Sequence, residues 1–177
     1  MNSIEKQLNA VALKGGKKVA EIITGWYDTA FHGLDSQKRL SVPKAVQPLL
    51  QGTFVVFAPK ISVNEEIPHL VIMPIEIYQD YRDRIAEHYT GQALDIRFTM
   101  LSRWSETMTL DSTGRISIKQ QLRDYAGLDG SAKVAIVGYG KRFELWREDL
   151  LDKQCQMALQ AIEGDVGVPL DSPRQRL

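Results

Sequence analysis

The alternation of apolar and polar residues is most readable after residue 106. Thr107-Met108-Thr109-Leu110 predicts a short strand, and Asp111-Ser112-Thr113-Gly114 predicts a turn whose glycine supplies any positive φ the backbone requires. Arg115-Ile116-Ser117-Ile118 alternates polar with apolar, the pattern of a half-buried strand. From Gln120 to Ala126, Leu122 and Ala126 fall four apart on one helical face, and Gly127 is a natural C-terminal stop. Lys133 to Val137 predicts a buried strand, Gly138-Tyr139-Gly140 a turn, and Arg142 to Trp146 a last strand. The order is β-β-α-β-β.

The chain repeats this plan. LDSQKRLSVP begins at Leu34 and LDSTGRISIK at Leu110: Leu34, Asp35, Ser36, Arg39 and Ser41 return as Leu110, Asp111, Ser112, Arg115 and Ser117. In the first copy Pro43 suits the first turn of a helix, while Pro48 must shorten or kink it. Phe54 to Phe57 and Leu70 to Met73 supply its later strands, separated by a longer loop from Ala58 to His69. Between the copies, Ile77, Tyr81 and Ile85 mark a helix over Ile75 to Tyr89, and Leu94, Phe98 and Leu101 a second over Ala93 to Trp104. A helix from Arg147 to about Glu163 would present Leu150, Leu151, Ala158 and Ile162 on one face. The expected division is an N-terminal extension (1–28), a first repeat domain (29–76), a helical connector (77–104), a second repeat domain (105–148), a C-terminal helix (149–163) and a disordered tail (164–177). The fold class is therefore α+β, mainly β with flanking helices.

Composition narrows the function. Lys+Arg and Asp+Glu are both 22, so no global positive field advertises nucleic acid, and any such contact must come from a local patch multiplied by self-assembly. The single cysteine, Cys155, rules out an intrachain disulfide, and with His32, His69 and His88 it fits no metal-ligand spacing. No metal or cofactor is expected. No stretch resembles a signal peptide or a membrane span, so the default expectation is a cytoplasmic protein with no membrane partner. In the N-terminal segment Ile4, Leu8, Val11 and Ala12 fall at helical spacing before the Gly/Lys stretch from Lys14 to Lys18. A DNA-binding arm or an extension packing on a neighbour are both open there, the second being preferred.

The chemistry worth weighing is Asp-x-x-x-Arg, present as Asp35/Arg39 and Asp111/Arg115. An aspartate opening a turn accepts backbone N–H bonds, and an arginine leaving it projects a planar fork towards phosphate or a guanine edge. The alternative is a surface ion pair that only closes the turn. Residues 33–48 carry Lys38, Arg39 and Lys44 against Asp35, a net of +2, and residues 109–123 carry Arg115, Lys119 and Arg123 against Asp111, again +2. Residues 76–95 carry five acids and two arginines, and that face is not expected to meet DNA. Enzyme signatures are missing: Gly138-Tyr139-Gly140-Lys141 is too short for a phosphate loop and lies between strands, and no serine sits in a nucleophile elbow. Trp104 and Trp146 stand among apolar residues, which favours core over base stacking.

LDSQKRLSVP, LDSTGRISI, LRDYAGL and VAIVGYGKRFELW together closely resemble the MraZ family, bacterial proteins with tandem AbrB-like (SpoVT-AbrB) domains, over roughly residues 29–162. The resemblance implies swapped-hairpin modules forming one pseudo-symmetric β-barrel, assembly of identical chains into a ring, and binding of double-stranded DNA repeats in the promoter of the division and cell-wall gene cluster. It implies a nucleoid-associated transcriptional regulator, with Asp35, Arg39, Asp111 and Arg115 lining the DNA-binding surface and Lys38, Lys44 and Lys119 assisting. Four positions depart from the family pattern: Gln37-Lys38 replaces Lys-Gly in the first turn, Lys119 replaces a usual proline, and Gln47 stands where an arginine is frequent. A protein-interaction module of the same fold, antitoxin-like or scaffolding, is the alternative.

Overall fold

Phe54-Val55-Val56-Phe57 and Leu70-Val71-Ile72-Met73 are buried at every position. Continuous apolar runs of this length are covered on both faces, so they belong at the middle of a sheet. The computed structural model describes residues 25–59 and 67–162, the last two as backbone only. In chain order it contains β1 (Thr29–Gly33), β2 (Arg39–Ser41), a 3-10 helix (Gln47–Leu50), β3 (Phe54–Phe57), β4 (Leu70–Pro74), α1 (Ile75–His88) and α2 (Gly91–Arg103). The second half contains β5 (Ser105–Met108), β6 (Arg115–Ser117), α3 (Gln120–Ala126), β7 (Lys133–Tyr139), β8 (Arg142–Arg147) and α4 (Glu148–Ile162). The expectation of an α+β protein holds.

The two repeats exchange strands. One antiparallel sheet runs β1-β7-β8-β4-β3-β5, and β2 pairs with β6 in a separate two-stranded ribbon. β1 thus lies on β7 of the second copy, and β5 lies on β3 of the first. Swapping the copies reverses the strand order onto itself. The register obeys the same two-fold: Arg39↔Ser117 exchanges with Ser41↔Arg115 about the central pair Leu40↔Ile116. Across β4 and β8, Leu70↔Leu145 exchanges with Ile72↔Phe143 about Val71↔Glu144. A pseudo-dyad therefore passes through the middle of both the ribbon and the sheet.

Strand alternation sorts the core into layers. Phe54, Val56, Leu70, Ile72, Val134, Ile136, Phe143 and Leu145 face the ribbon's Leu40 and Ile116, together with Leu122 and Ala126 of α3. Leu40 and Ile116 are each 1% exposed, so the ribbon is fixed on its inner face by the main core. On the opposite side of the sheet, Val55, Phe57, Val71 and Met73 are covered by Tyr78, Ile85 and Leu101 of the α1–α2 hairpin. Ala135 and Trp146 are covered there by Leu150 and Leu151 of α4.

Several expectations are corrected. The sheet is open: among the described residues no ladder joins β1 to β5, so it does not close as a barrel. β2 and β6 are three residues each and spend their pairing on one another, which takes both out of the main sheet. The strand expected at Thr107–Leu110 is Ser105–Met108, because Asp111 N–H already donates to Arg115 O at 2.9 Å to close the turn. Gly138 and Tyr139 belong to β7, and the turn is only Gly140-Lys141 between the paired Tyr139 and Arg142. Gly138 sits in the strand because the Trp26 backbone packs directly against it, leaving no room for a Cβ. Pro43 and Pro48 leave the first copy only a 3-10 turn where the second has a full α-helix. Within α4, Leu150 and Leu151 pack as expected, whereas Ala158 is exposed. The Ile162 side chain, the segment 1–24 and the tail from 163 onward lie outside the described residues.

Candidate nucleic-acid interface

Each Asp-x-x-x-Arg motif forms the same closed turn. Asp35 N–H donates to Arg39 O and Lys38 N–H to Asp35 O, both at 2.9 Å; Asp111 N–H to Arg115 O and Gly114 N–H to Asp111 O repeat these bonds at the same distance. Inside the turn, Asp35 Oδ1 accepts N–H bonds from Gln37 and Arg39, and Asp111 Oδ1 accepts them from Thr113 and Arg115. The other carboxylate oxygen takes the arginine: Arg39 Nε donates to Asp35 Oδ2 at 2.8 Å and Arg115 Nε to Asp111 Oδ2 at 2.9 Å.

These bonds explain the charge states. The Arg39 side chain, then its backbone N–H, holds the Asp35 carboxyl below its ordinary range. For Asp111 the largest cause is the Arg115 backbone N–H, followed by the Thr113 hydroxyl, and its carboxyl is also held well below that range. Both carboxylates stay ionised and fix their arginines.

The ribbon brings the two motifs together. Arg115 Nη1 lies 3.7 Å from Asp35 Oδ2, so one aspartate faces both arginines. Arg39 and Arg115 are 27% and 28% exposed, held in place yet open to solvent. Among the described residues, Nη1 of Arg39 and Nη2 of Arg115 have no hydrogen-bond partner. A fork gripped at Nε with a free terminal nitrogen can still offer directed donors outward.

The lysines divide. Lys38 occupies the turn position of Gly114 and adopts its conformation, with φ +60 against +75. The first turn therefore keeps the glycine shape although it lacks the glycine. The Lys38 side chain reaches across to Gly130, and its charge helps lower the Asp129 carboxyl, after the Ser131 and Ala132 hydrogen bonds and against burial. Lys119 precedes α3: its backbone N–H donates to Glu106 Oε2 at 2.9 Å and its ammonium lies 3.8 Å from Oε1. A proline there would lose the first of these bonds. Lys44 is exposed and has no ion-pair partner among the described residues. Arg123 turns inward to the Ile118 carbonyl and adds nothing to the face.

Three further residues carry no charge and border the face. Gln47 packs its amide against Gly114 and donates to Val42 O at 2.9 Å, bracing the second turn from the first copy. Ser41 and Ser117 are exposed and stand directly across the ribbon from Arg115 and Arg39. Their signals in the sequence were strand alternation and their recurrence in both copies. On the far side of the sheet, Glu76, Asp80, Asp83 and Glu87 are exposed along α1, while Arg82 and Arg97 stack on Phe98 and Tyr89 at 4.5 and 3.5 Å. The molecule is electrostatically two-sided, its acidic helix opposite the arginine ribbon. Among the described residues no three His, Cys, Asp or Glu side chains gather as a metal site, and no helix is long and apolar enough to cross a membrane.

Fold and site define a tandem hairpin–helix protein whose two copies share one two-fold arginine ribbon. The family described as "MraZ protein, putative antitoxin-like" matches residues 103–163. The transcriptional regulator MraZ of Chromobacterium violaceum is 33% identical over 135 residues, covering 75% of this chain and 88% of that protein. Its namesake in Dechloromonas aromatica is 32% identical over 143 residues, covering 75% and 88%, and that of an Enterobacter species 31% over 140 residues, covering 78% and 90%. The chain belongs to the MraZ family.

Proposed function

We propose that this protein is a sequence-specific transcriptional regulator that binds double-stranded DNA through the β2–β6 ribbon. The observation that carries the reading is the convergence of both Asp-x-x-x-Arg motifs on one exposed face, from positions far apart in the chain. Arg39 and Arg115 contact the DNA, Asp35 and Asp111 order the turns, and Lys38, Lys44 and Lys119 assist. The names of its relatives support the regulatory role. The targets are promoter repeats of the division and cell-wall gene cluster, the site of action is the nucleoid in the cytoplasm, and no cofactor takes part. One ribbon is small and its arginines are partly neutralised by aspartates, so useful affinity requires several ribbons on one DNA. A ring of identical chains supplies them.

The test is titration of the purified protein into a labelled fragment of its own upstream DNA and into a scrambled fragment, at several salt concentrations. Binding that prefers the native fragment and weakens steeply with salt is expected. Replacing Arg39 and Arg115 by Ala removes that binding without unfolding the protein. Unchanged affinity in the double variant overturns the site; no preference in the wild type overturns the function. A second reading, a protein-interaction module, draws on Met157 and Leu159 of α4, which are 49% and 65% exposed. A stoichiometric partner together with no DNA affinity at low salt would favour it.

A further inference from the structure

The outward face of the ribbon holds four side chains: Arg39 and Ser41 on β2, Arg115 and Ser117 on β6. Their inward neighbours Leu40 and Ile116 are buried, so these four are all the ribbon presents. Each serine is directly opposite an arginine, which puts the paired Cβ atoms about 5 Å apart. That spacing is near one to two base-pair rises of about 3.4 Å. Strands about 4.8 Å apart make a ribbon narrow enough for the major groove, about 12 Å wide, which admits a two-stranded β-ribbon.

The serines also have the right size. They are the only small outward residues on the ribbon, and large side chains there would hold its backbone away from the base edges. Neither hydroxyl has a hydrogen-bond partner among the described residues. A serine hydroxyl both donates and accepts, so it suits any base edge beside the one an arginine takes.

Resting on the DNA-binding reading above, we infer that the ribbon enters the major groove as a four-residue unit and that Ser41 and Ser117 read bases beside those contacted by Arg39 and Arg115. The serines are assigned as specificity determinants, and the lysines keep an assisting role without base readout.

The experiment measures Ser41→Ala and Ser117→Ala against the native upstream fragment and a set of its single-base substitutions, with thermal melting to confirm the fold. Each variant is expected to lose about 3- to 10-fold of its discrimination at one base position, the scale of one hydrogen bond. The salt slope stays at the wild-type value, because no phosphate contact is removed. Ser41→Leu and Ser117→Leu, which add bulk to an exposed strand position, are expected to lose the preference for the native fragment altogether. Alanine variants that keep wild-type discrimination at every position overturn the inference, as does a uniform loss on all sequences. A wild type that shows no preference between native and scrambled DNA defeats the underlying reading instead, so the two failures are distinguishable.

Discussion

Lys38 is the non-glycine residue with positive φ among those described, and it sits where the second copy has Gly114. A side chain in this left-handed region costs about 1–2 kcal/mol, through the approach of Cβ to the following carbonyl. Lys38→Gly removes that cost. It also frees the unfolded chain, which offsets about 0.5–1 kcal/mol of the gain. The net expectation is a stabilisation of about 0.5–1 kcal/mol, or a rise in Tm of about 1–4 °C for a chain of this size. Lys38 also lies beside Asp129, but both groups are solvated and that attraction adds little to the balance. Scanning calorimetry on the wild type, Lys38→Gly and Lys38→Ala provides the assay. Alanine loses the same charge while keeping the strained backbone, so it should melt below the glycine variant. A glycine variant no more stable than the alanine one would falsify the account of strain. The same three proteins also separate folding from binding: if Lys38 touches phosphate, both variants lower the salt slope by about 1, although one is more stable and the other is not.

Further expectations follow from the same geometry. Gly114→Ala forces a side chain into φ +75 and against the Gln47 amide, and should destabilise by about 1–3 kcal/mol in chemical denaturation; adding Gln47→Ala should recover only the part due to the contact. Lys119→Pro removes the N–H that bonds Glu106, whose side chain is only 16% exposed, and should cost about 1–3 kcal/mol, whereas Lys119→Ala keeps that bond and should cost clearly less. Asp35 and Asp111 are ionised at lower pH in the folded protein than their ordinary value of 3.8. Their stabilisation is therefore complete above that value and is lost as pH falls through the depressed folded-state values. Melting temperatures measured between pH 7 and pH 2.5 should fall mainly below pH 4, and Asp111→Asn should flatten that fall; an unchanged acid limb would count against the turn bonds as its source. Leu40→Ala empties a site that is 1% exposed at the centre of the ribbon and should cost about 2–5 kcal/mol by urea denaturation.

What could be read from the chain and what could not divide along a physical line. The turns were legible because their chemistry is local: an aspartate, a residue in the left-handed region and an arginine within five positions determine the bonds, and two copies repeated them. The faces of β2 and β6 were legible because alternation fixes which side is apolar. Alternation does not say which strand lies alongside. Val134 and Ile136 face the core whichever strand flanks β7, so strand exchange was implied only by the family resemblance, and the open sheet came only with the structure. Lys38 was invisible as a mimic of glycine because the rest of the turn decides its backbone. Glu106 gave no hint of Lys119, since the two meet across thirteen residues, through the backbone N–H and the ammonium of Lys119.

That division bears on how the site arose within one chain. Interlocked hairpins make each copy depend on the other for a sheet partner, so neither repeat can drift away without exposing an edge of the common core. The register about Leu40 and Ile116 is thereby held, and with it the diagonal arrangement of Arg39 and Arg115. The individual side chains around the axis are freer to diverge, as Lys38 against Gly114 and Pro43 against Lys119 show. Architecture in this protein keeps two arginines in a fixed relation, while the residues bordering them differ between the copies.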